Sequence, residues 1–257
     1  MSPQLSSHEA RLGGRQRPTR RARMRRPVQL ELPIPSGWGG RRAGAGRRPN
    51  AGRRRVPHCK RPPHRAEHPV HVTLRSACRS LRTQFVFPTL RNAISVANRR
   101  ASTRFRIAQF SVQSDHLHLL VEAADRDSLV QGVRGLCIRI ARRVNQLLIR
   151  RGSFFADRWH GRALTTPRAV RNALVYVLAN FRKHHPGARA AIDPYSSAAH
   201  FQDFVEFPQA MTKEATYSLH IPLAPPDDTP IASPSTWLLS KGWKRHGKLS
   251  VSERPAR

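Results

Sequence analysis

The stretch RFRIAQFSVQSDHLHLLVEA, residues 104–123, decides the fold. Over residues 104–113 basic or polar side chains alternate with apolar ones, a pattern that predicts a half-buried β-strand. Residues 116–123 predict a second strand, and only Ser114 and Asp115 separate it from the first. Because so short a turn lets neighbouring strands pair, we expect the two strands to lie side by side in an antiparallel sheet.

The segment before this strand pair adds one strand and one helix. HVTLR (71–75) alternates and is rich in β-forming residues, which predicts a strand. Residues 88–100 carry Leu90, Ile94 and Ala97 at helical spacing, so we expect an amphipathic helix there.

Two further helices follow, joined by an extended segment at 153–165. We expect Asp127 to cap the helix that directly follows the strand pair and Gly152 to end it. Thr166 and Pro167 open the last helix as cap and first-turn proline, and it should run to about Lys183. The apolar stripe of the first helix consists of Leu129, Val133, Leu136, Ile140, Val144 and Leu147.

The resulting order β-α-β-β-α-β-α predicts an α+β domain of ferredoxin-like or RRM-like type, an antiparallel sheet with helices on one face. We assign this domain to residues 69–185. Residues 1–68, rich in Arg, Pro and Gly, should form a disordered basic arm. Residues 186–257 form a Pro-rich tail with a Trp/basic island, TWLLSKGWKRHGK (236–248). Docking of this island on the domain is favoured over stacking on bases. Whether translation begins at Met1 or Met24 stays open.

The charge of the chain points to a polyanionic partner. Lys and Arg number 47 against 15 Asp and Glu, a net charge of +32. Such a field suits a phosphate backbone rather than a small metabolite, although a GC-rich coding sequence would account for part of the arginine in the tails. The three cysteines lie far apart without a CxxC pair, which fits a reducing cytoplasm, and no apolar run is long enough to predict a membrane span.

His116 and His118 are the first candidates for chemistry. Alternate residues of a strand share a face, so the two imidazoles should project together, about 7 Å apart along the strand. Leu117, Leu119 and Val121 should point the other way, into the helical layer. With a third donor nearby, the two histidines can share a divalent ion. An isolated pair of this kind is more often two surface histidines.

The last helix adds Tyr176 and Asn180. At 100° per residue, Tyr176 falls opposite the apolar stripe, on the polar side, with Asn180 one turn further on. A phenolate beside an amide metal ligand could attack a phosphorus polarised by the same ion. An exposed tyrosine on an ordinary amphipathic helix is the plain alternative. The stripe itself consists of Val170, Leu174, Val177, Leu178 and Phe181.

The runs SVQSDHLHLLVEAAD (111–125), GSFFADRWHGRALTTP (152–167) and LVYVLANFRKH (174–184) together resemble the single-tyrosine HUH transposases, most closely the REP-associated tyrosine transposase branch. The likeness covers about residues 69–185. It implies that His116 and His118 form the HUH motif, that Tyr176 is the nucleophile and that Asn180 is the third metal ligand. The sequence departs from many relatives at Ser114-Asp115, where they have Pro-Asn, and at Asn180-Phe181, where they have Asn-Pro.

The resemblance implies a Mg- or Mn-dependent endonuclease and strand transferase that cuts single-stranded, hairpin or palindromic DNA through a 5′-phosphotyrosine, as in DNA transposition and recombination. It also implies a bacterial, cytoplasmic protein, nucleoid-associated when bound to DNA, and leaves open a homodimer with an exchanged helix. The candidate nucleic-acid-binding residues are Arg104, Arg106, Arg158, Arg162 and Lys183.

Three other functions stay open at this stage. A domesticated relative could bind single strands without cutting them. A replication initiator or relaxase would use the same chemistry but usually carries a helicase, and the chain has no P-loop. An RNA-binding basic protein would explain the charge but not the coincidence of HxH with YxxxN.

Overall fold

The structure, a computed structural model, describes residues 63–78, 80–101, 104–181, 192–206 and 229–255. The predicted basic arm up to residue 62 lies outside the described residues. The order of elements agrees with the predicted β-α-β-β-α-β-α pattern. Its members are β1 (Val70–Arg75), α1 (Phe87–Ala101), β2 (Phe105–Val112), β3 (His116–Ala123), α2 (Arg126–Leu147), β4 (His160–Ala163) and α3 (Pro167–Ala179).

The four strands form one antiparallel sheet in the order β2-β3-β1-β4. β3 pairs with β1 from Val70↔Val121 to Arg75↔His116, and on its other side with β2. This is the strand order of a ferredoxin-like α+β domain, as the sequence predicts. Of the helices in the described ranges, none is long and apolar enough to cross a membrane.

Helices α1 and α2 cover one face of the sheet. Leu117, Leu119 and Val121 of β3 point into this layer, as predicted, and are buried with Phe105 and Ile107 of β2. Burial of these apolar side chains is the main stabilising contribution of the layer. The buried stripe of α2 consists of Leu129, Val133, Leu136, Ile140 and Val144, with Leu147 partly buried beside it.

Two expectations about the ends of α2 are wrong. Asp125, not Asp127, is the N-cap, because its extended backbone lets the carboxylate accept from the N–H of Ser128. Asp127 lies instead in the first turn, where its charge faces the positive end of the helix. The helix ends at Leu147, before Gly152, and the chain turns away at Ile149, whose φ of 48° is left-handed.

Helix α3 lies on the opposite face of the sheet and is covered in turn by residues 192–206 and 229–255. Leu174, Val177 and Leu178 pack with Leu120 of β3 and with Trp243. The sequence predicts helices on only one face of the sheet, whereas in the structure α3 covers the second face as well. The side of α3 opposite the predicted apolar stripe is not exposed, since Tyr176 is half-buried and Asn180 is buried. α3 has two covered sides because segments distant in sequence pack on it.

Residues 229–255, which we call the C-terminal island, dock on the sheet through Glu122. This side chain of β3 is only 3 % exposed. Its carboxylate accepts four hydrogen bonds, two from the backbone N–H groups and two from the hydroxyls of Ser235 and Thr236. Trp243 is buried against α3. The island therefore docks on the domain, as favoured from the sequence.

Replacing Glu122 with Gln should lower the free energy of unfolding by about 2 kcal/mol, because the amide group turns a donor toward N–H and O–H groups that need acceptors. Urea denaturation followed by tryptophan fluorescence measures this change. Glu67→Gln is the matched control, since Glu67 makes only an exposed 3.8 Å ion pair with Arg65 and should change stability by less than about 0.5 kcal/mol. Equal effects of the two substitutions would contradict the docking role.

Candidate active site

Two rows of side chains cross the sheet beneath α3. Ser111, His118, Thr73 and His160 are successive register partners on the four strands. In the neighbouring row, Leu120 pairs with His71, which pairs with Arg162. Because directly paired residues of an antiparallel sheet project from the same face, the polar members of both rows share the face that α3 covers.

His116 and His118 project together, as predicted from their spacing. Their ring centroids are 4.6 Å apart and their planes stand at 84°. His116 is half-buried, and its Nδ1 lies 2.7 Å from Oδ1 of Asp115. The hydrogen bond with His116 lowers the pKa of Asp115, and nearby Arg75 adds to the effect. A carboxylate bonded to Nδ1 fixes the ring so that Nε2 is the nitrogen available to ligate a metal.

His118 is held in a similar way by two residues of β1. Its Nδ1 lies 3.1 Å from Nε2 of His71 and 3.3 Å from Oγ1 of Thr73. Burial, with the nearby charges of His160 and Arg162, lowers the pKa of His71 to about 4. His71 is therefore neutral at pH 7, and its Nε2 can accept a hydrogen bond from the Nδ1–H of His118, which makes Nε2 of His118 the candidate ligating nitrogen.

Sequence reasoning missed the roles of Asp115, His71 and Thr73. HVTLR contained a signal for His71 and Thr73, because these two residues are two positions apart and so share one face of the strand. Only the register of β1 against β3, in which Thr73 pairs with His118, shows that this is the face on which the two histidines lie. Asp115 was noted only as a departure from the related motif, whereas in the structure its side chain contacts His116.

Tyr176 lies directly against this cluster. Its ring centroid is 4.9 Å from that of His118, with an interplanar angle of 83°, and 5.6 Å from that of His71. α3 is positioned at its start as predicted, because Thr166 accepts from the N–H of Ala169 and Pro167 occupies the first turn. The fold thus brings the predicted nucleophile beside a predicted metal ligand.

Asn180, the predicted third metal ligand, lies one helical turn beyond Tyr176. It is the C-cap of α3 and is 1 % exposed, and among the described residues neither Oδ1 nor Nδ2 has a hydrogen-bond partner. Leaving a buried amide unsatisfied costs about 1–3 kcal/mol. Because native buried polar groups are nearly always paired, such an amide marks a position that a ligand would satisfy.

The donor set fits a divalent ion that also takes oxygen ligands from elsewhere. In the part of the chain that the structure describes, no three His, Cys, Asp or Glu side chains cluster to hold a metal. The candidate ligands are therefore two imidazoles and one amide oxygen. Mn²⁺ and Mg²⁺ readily complete their coordination with water or phosphate oxygens, so a site with few protein ligands suits them.

The predicted nucleic-acid-binding residues lie in different places. Arg162 is exposed on β4 opposite His71, and Arg158 is half-buried just before that strand. Arg104 pairs with Asp125, and Arg106 lies 4.0 Å from Glu122, both near the far end of β3 from His116. Lys183 lies outside the described residues. Contact of these residues with nucleic acid stays a prediction.

Comparisons with known proteins add a structural likeness. No protein-family model matches the chain. No curated protein matches it either. Among solved structures, a REP-associated tyrosine transposase bound to a REP hairpin is similar, with a TM-score of 0.45 and 18 % identity over 55 % of this chain and 82 % of that chain. At this level of similarity, function has to be argued from the chain's own residues.

Replacing Asn180 with Leu should leave the free energy of unfolding unchanged or raise it by about 1 kcal/mol, since no hydrogen bond is lost and a buried polar group is removed. The same variant should weaken Mn²⁺ binding, measured by calorimetry.

Asn98→Leu is the matched control, because buried Asn98 bonds both the N–H and the C=O of Ile107 and the C=O of Pro230. It should lower stability by about 3 kcal/mol. A comparable loss of stability in Asn180→Leu would show that its amide has a structural partner and is no ligand.

Proposed function

We propose that the chain is a metal-dependent single-stranded DNA endonuclease and strand transferase of the transposase type, with Tyr176 as nucleophile. The observation that carries the proposal is the meeting of two segments that are distant in the sequence, β3 and α3. The rings of His116 and His118 on β3 contact each other, the ring of Tyr176 on α3 contacts that of His118, and the buried amide of Asn180 lies one helical turn beyond Tyr176. The resemblance of the sequence to HUH transposases supports the same assignment.

His116, His118 and Asn180 would hold the metal. A bound Mg²⁺ or Mn²⁺ would supply Lewis-acid polarisation of the scissile phosphate. Asp115, His71 and Thr73 keep the two imidazoles oriented toward that ion through their contacts with each Nδ1.

The covalent step is a balanced transesterification. The Oη of Tyr176 attacks the phosphorus, an Oη–P bond forms and the bond from phosphorus to the 3′ oxygen breaks. The tyrosine loses its proton and the leaving 3′ oxygen gains one, which yields a 5′-phosphotyrosine and a free 3′-hydroxyl. A 3′-hydroxyl that attacks this linkage rejoins a strand and restores the tyrosine. Because each step exchanges one phosphoester for another, no nucleotide cofactor is required.

Positive charge beside the site would hold the DNA backbone. Arg162 and His160 are exposed on the edge strand β4, in register with His71 and Thr73. The chain as a whole carries a net charge of +32. Neutralising phosphates with such side chains releases counterions, so binding should weaken steeply as salt rises.

Tyr176→Phe should abolish a covalent protein–DNA adduct while leaving oligonucleotide binding within about twofold, because only the attacking oxygen is lost. The assay incubates the full chain with 5′- and 3′-labelled single-stranded hairpin oligonucleotides and Mn²⁺, and resolves adducts on a denaturing gel. Tyr195→Phe is the matched control, since Tyr195 packs against Phe87 and Arg82 away from the histidines, and it should form adduct normally.

Three results would bear on the mechanism separately. An adduct that disappears with chelator and in His118→Ala supports the metal role. An adduct that persists in Tyr176→Phe contradicts the assignment of the nucleophile. Tight binding without adduct, across hairpins drawn from the flanks of the gene, would replace the proposal with the non-catalytic single-strand binder.

Arg162→Ala should weaken binding of single-stranded DNA and reduce the magnitude of the slope of log K against log salt by about one, as expected for loss of one phosphate contact. Fluorescence anisotropy over a salt series measures both quantities. Arg168→Ala, an exposed arginine at the start of α3, is the control and should leave the slope unchanged. Identical slopes for parent and Arg162→Ala would remove Arg162 from the interface.

A further inference from the structure

The C-terminal island carries a second aromatic and basic surface, separate from the residues around Tyr176. Its segment TWLLSKGWKRHGK (236–248) contains no acidic residue and four basic ones, Lys241, Lys244, Arg245 and Lys248. All four are exposed. Lys244 is paired with Asp203 at 2.7 Å. The segment therefore presents net positive charge on the outside of a docked element.

The two tryptophans of this segment have different environments. Trp243 is buried and packs against Phe201, with ring centroids 5.8 Å apart, so it anchors the island. Trp237 is 48 % exposed. Tryptophan is enriched at interaction surfaces, because it combines a large apolar ring with a polar N–H group. The docking of the island accounts for Trp243, whereas nearly half of Trp237 stays accessible.

Trp237 is held firmly although it is exposed. Its ring packs so closely on Gly242 that a Cβ there would fall 2.7 Å from Cζ3 of the indole. The guanidinium carbon of Arg245 lies 4.8 Å from the centroid of the ring system. The preceding residue, Thr236, is fixed by the carboxylate of Glu122. The indole and the guanidinium therefore form a preorganised pair.

We infer that the Trp237–Arg245 pair is a binding point for single-stranded nucleic acid, where an unpaired base stacks and the adjoining phosphate meets Arg245. Aromatic rings and guanidinium planes are the surfaces on which unpaired bases stack, and nearby cations track the backbone. Duplexes fit less well, because their bases are already stacked on each other. Charge complementarity thus selects a polyanion, and the indole selects one with accessible bases.

This surface lies on the same side of the sheet as the candidate active site. Glu122, which fixes the start of the island, is four residues beyond His118 on β3 and shares its face, about 13 Å along the strand. A strand held at Trp237 could therefore continue toward Tyr176 over a few nucleotides, within the usual 4–16 nucleotides of such sites. The inference goes beyond the proposed cleavage and does not require it.

The test measures binding without chemistry. The full chain carrying Tyr176→Phe is titrated, with chelator and enough salt to suppress non-specific contacts, against a thymidine oligonucleotide, a uridine oligonucleotide, a duplex and heparin. Trp237→Ala should weaken binding of either single strand roughly tenfold and change heparin binding by less than about twofold, since heparin has no bases. Arg245→Ala should weaken both and lower the magnitude of the salt slope by about one.

Matched controls come from the other side of the sheet. Phe85→Ala removes an aromatic ring that is 61 % exposed, and Arg134→Ala removes an exposed arginine of α2. Both should leave single-strand binding unchanged. Quenching of tryptophan fluorescence by the thymidine oligonucleotide should also be largely lost in Trp237→Phe, a milder substitution that serves if Trp237→Ala does not fold.

The outcomes separate this inference from the proposed function. Equal binding of single strands by parent and Trp237→Ala, or equal losses for single strands and heparin, would overturn the inference and leave the role of Tyr176 untouched. Tighter binding of the thymidine oligonucleotide would identify DNA as the ligand, and tighter binding of the uridine oligonucleotide would identify RNA. Either result supports the inferred binding of single strands at Trp237 and Arg245. Failure of the parent to form an adduct with Mn²⁺ would overturn the cleavage chemistry alone.

Discussion

The position of β3 at the centre of the sheet determines where every other part of the domain lies. It is hydrogen-bonded on both edges, to β1 and to β2, and covered on both faces. Leu117, Leu119 and Val121 contribute to the core beneath α1 and α2. Leu120 contributes to the second core beneath α3. Because side chains alternate along a strand, the eight residues of β3 contribute to both cores and also supply the polar groups on the second face.

The polar groups on the second face require compensation that an apolar core does not. Glu122 is satisfied by four hydrogen bonds, and Nδ1 of His118 by its contacts with His71 and Thr73. Asn180 has no such partner among the described residues. The fully hydrogen-bonded carboxylate of Glu122 docks the C-terminal island, whereas the unsatisfied amide of Asn180 lowers the stability of the fold. This contrast distinguishes a structural contact from a position that fits a ligand.

Local sequence patterns were sufficient for most of the fold. The alternation in residues 104–123 and the spacing of apolar residues in α2 depend on neighbours in the chain. The two strands were predicted close to their observed bounds, and the buried stripe of α2 was predicted although its cap and its end were not. Thr166 and Pro167 were sufficient for the start of α3. The cap at Asp125 was missed because two acids stand close together, and backbone conformation decides which of them can reach the N–H of Ser128.

The candidate site could be predicted only in part, because its remaining contacts are not local. The spacing of His116 and His118 predicts a shared face, but His71 and Thr73 become neighbours only through the register of β1. A helical projection assigns Tyr176 and Asn180 to the polar side of α3. It contains no information about residues 192–255, part of which covers that helix and changes which of its sides are buried.

The docking of the C-terminal island also sets an order of events during biosynthesis. The side of α3 that faces Leu238, Leu239 and Trp243 is covered by residues that follow it by about sixty positions in the sequence. Synthesis proceeds from the N terminus, and domains form as their segments emerge from the ribosome. The sheet with α1 and α2 can therefore assemble first, while α3 acquires its final packing only after the island has been made. A product of premature termination would carry His116 and His118 on β3 and Tyr176 and Asn180 on α3, without the layer that packs on α3.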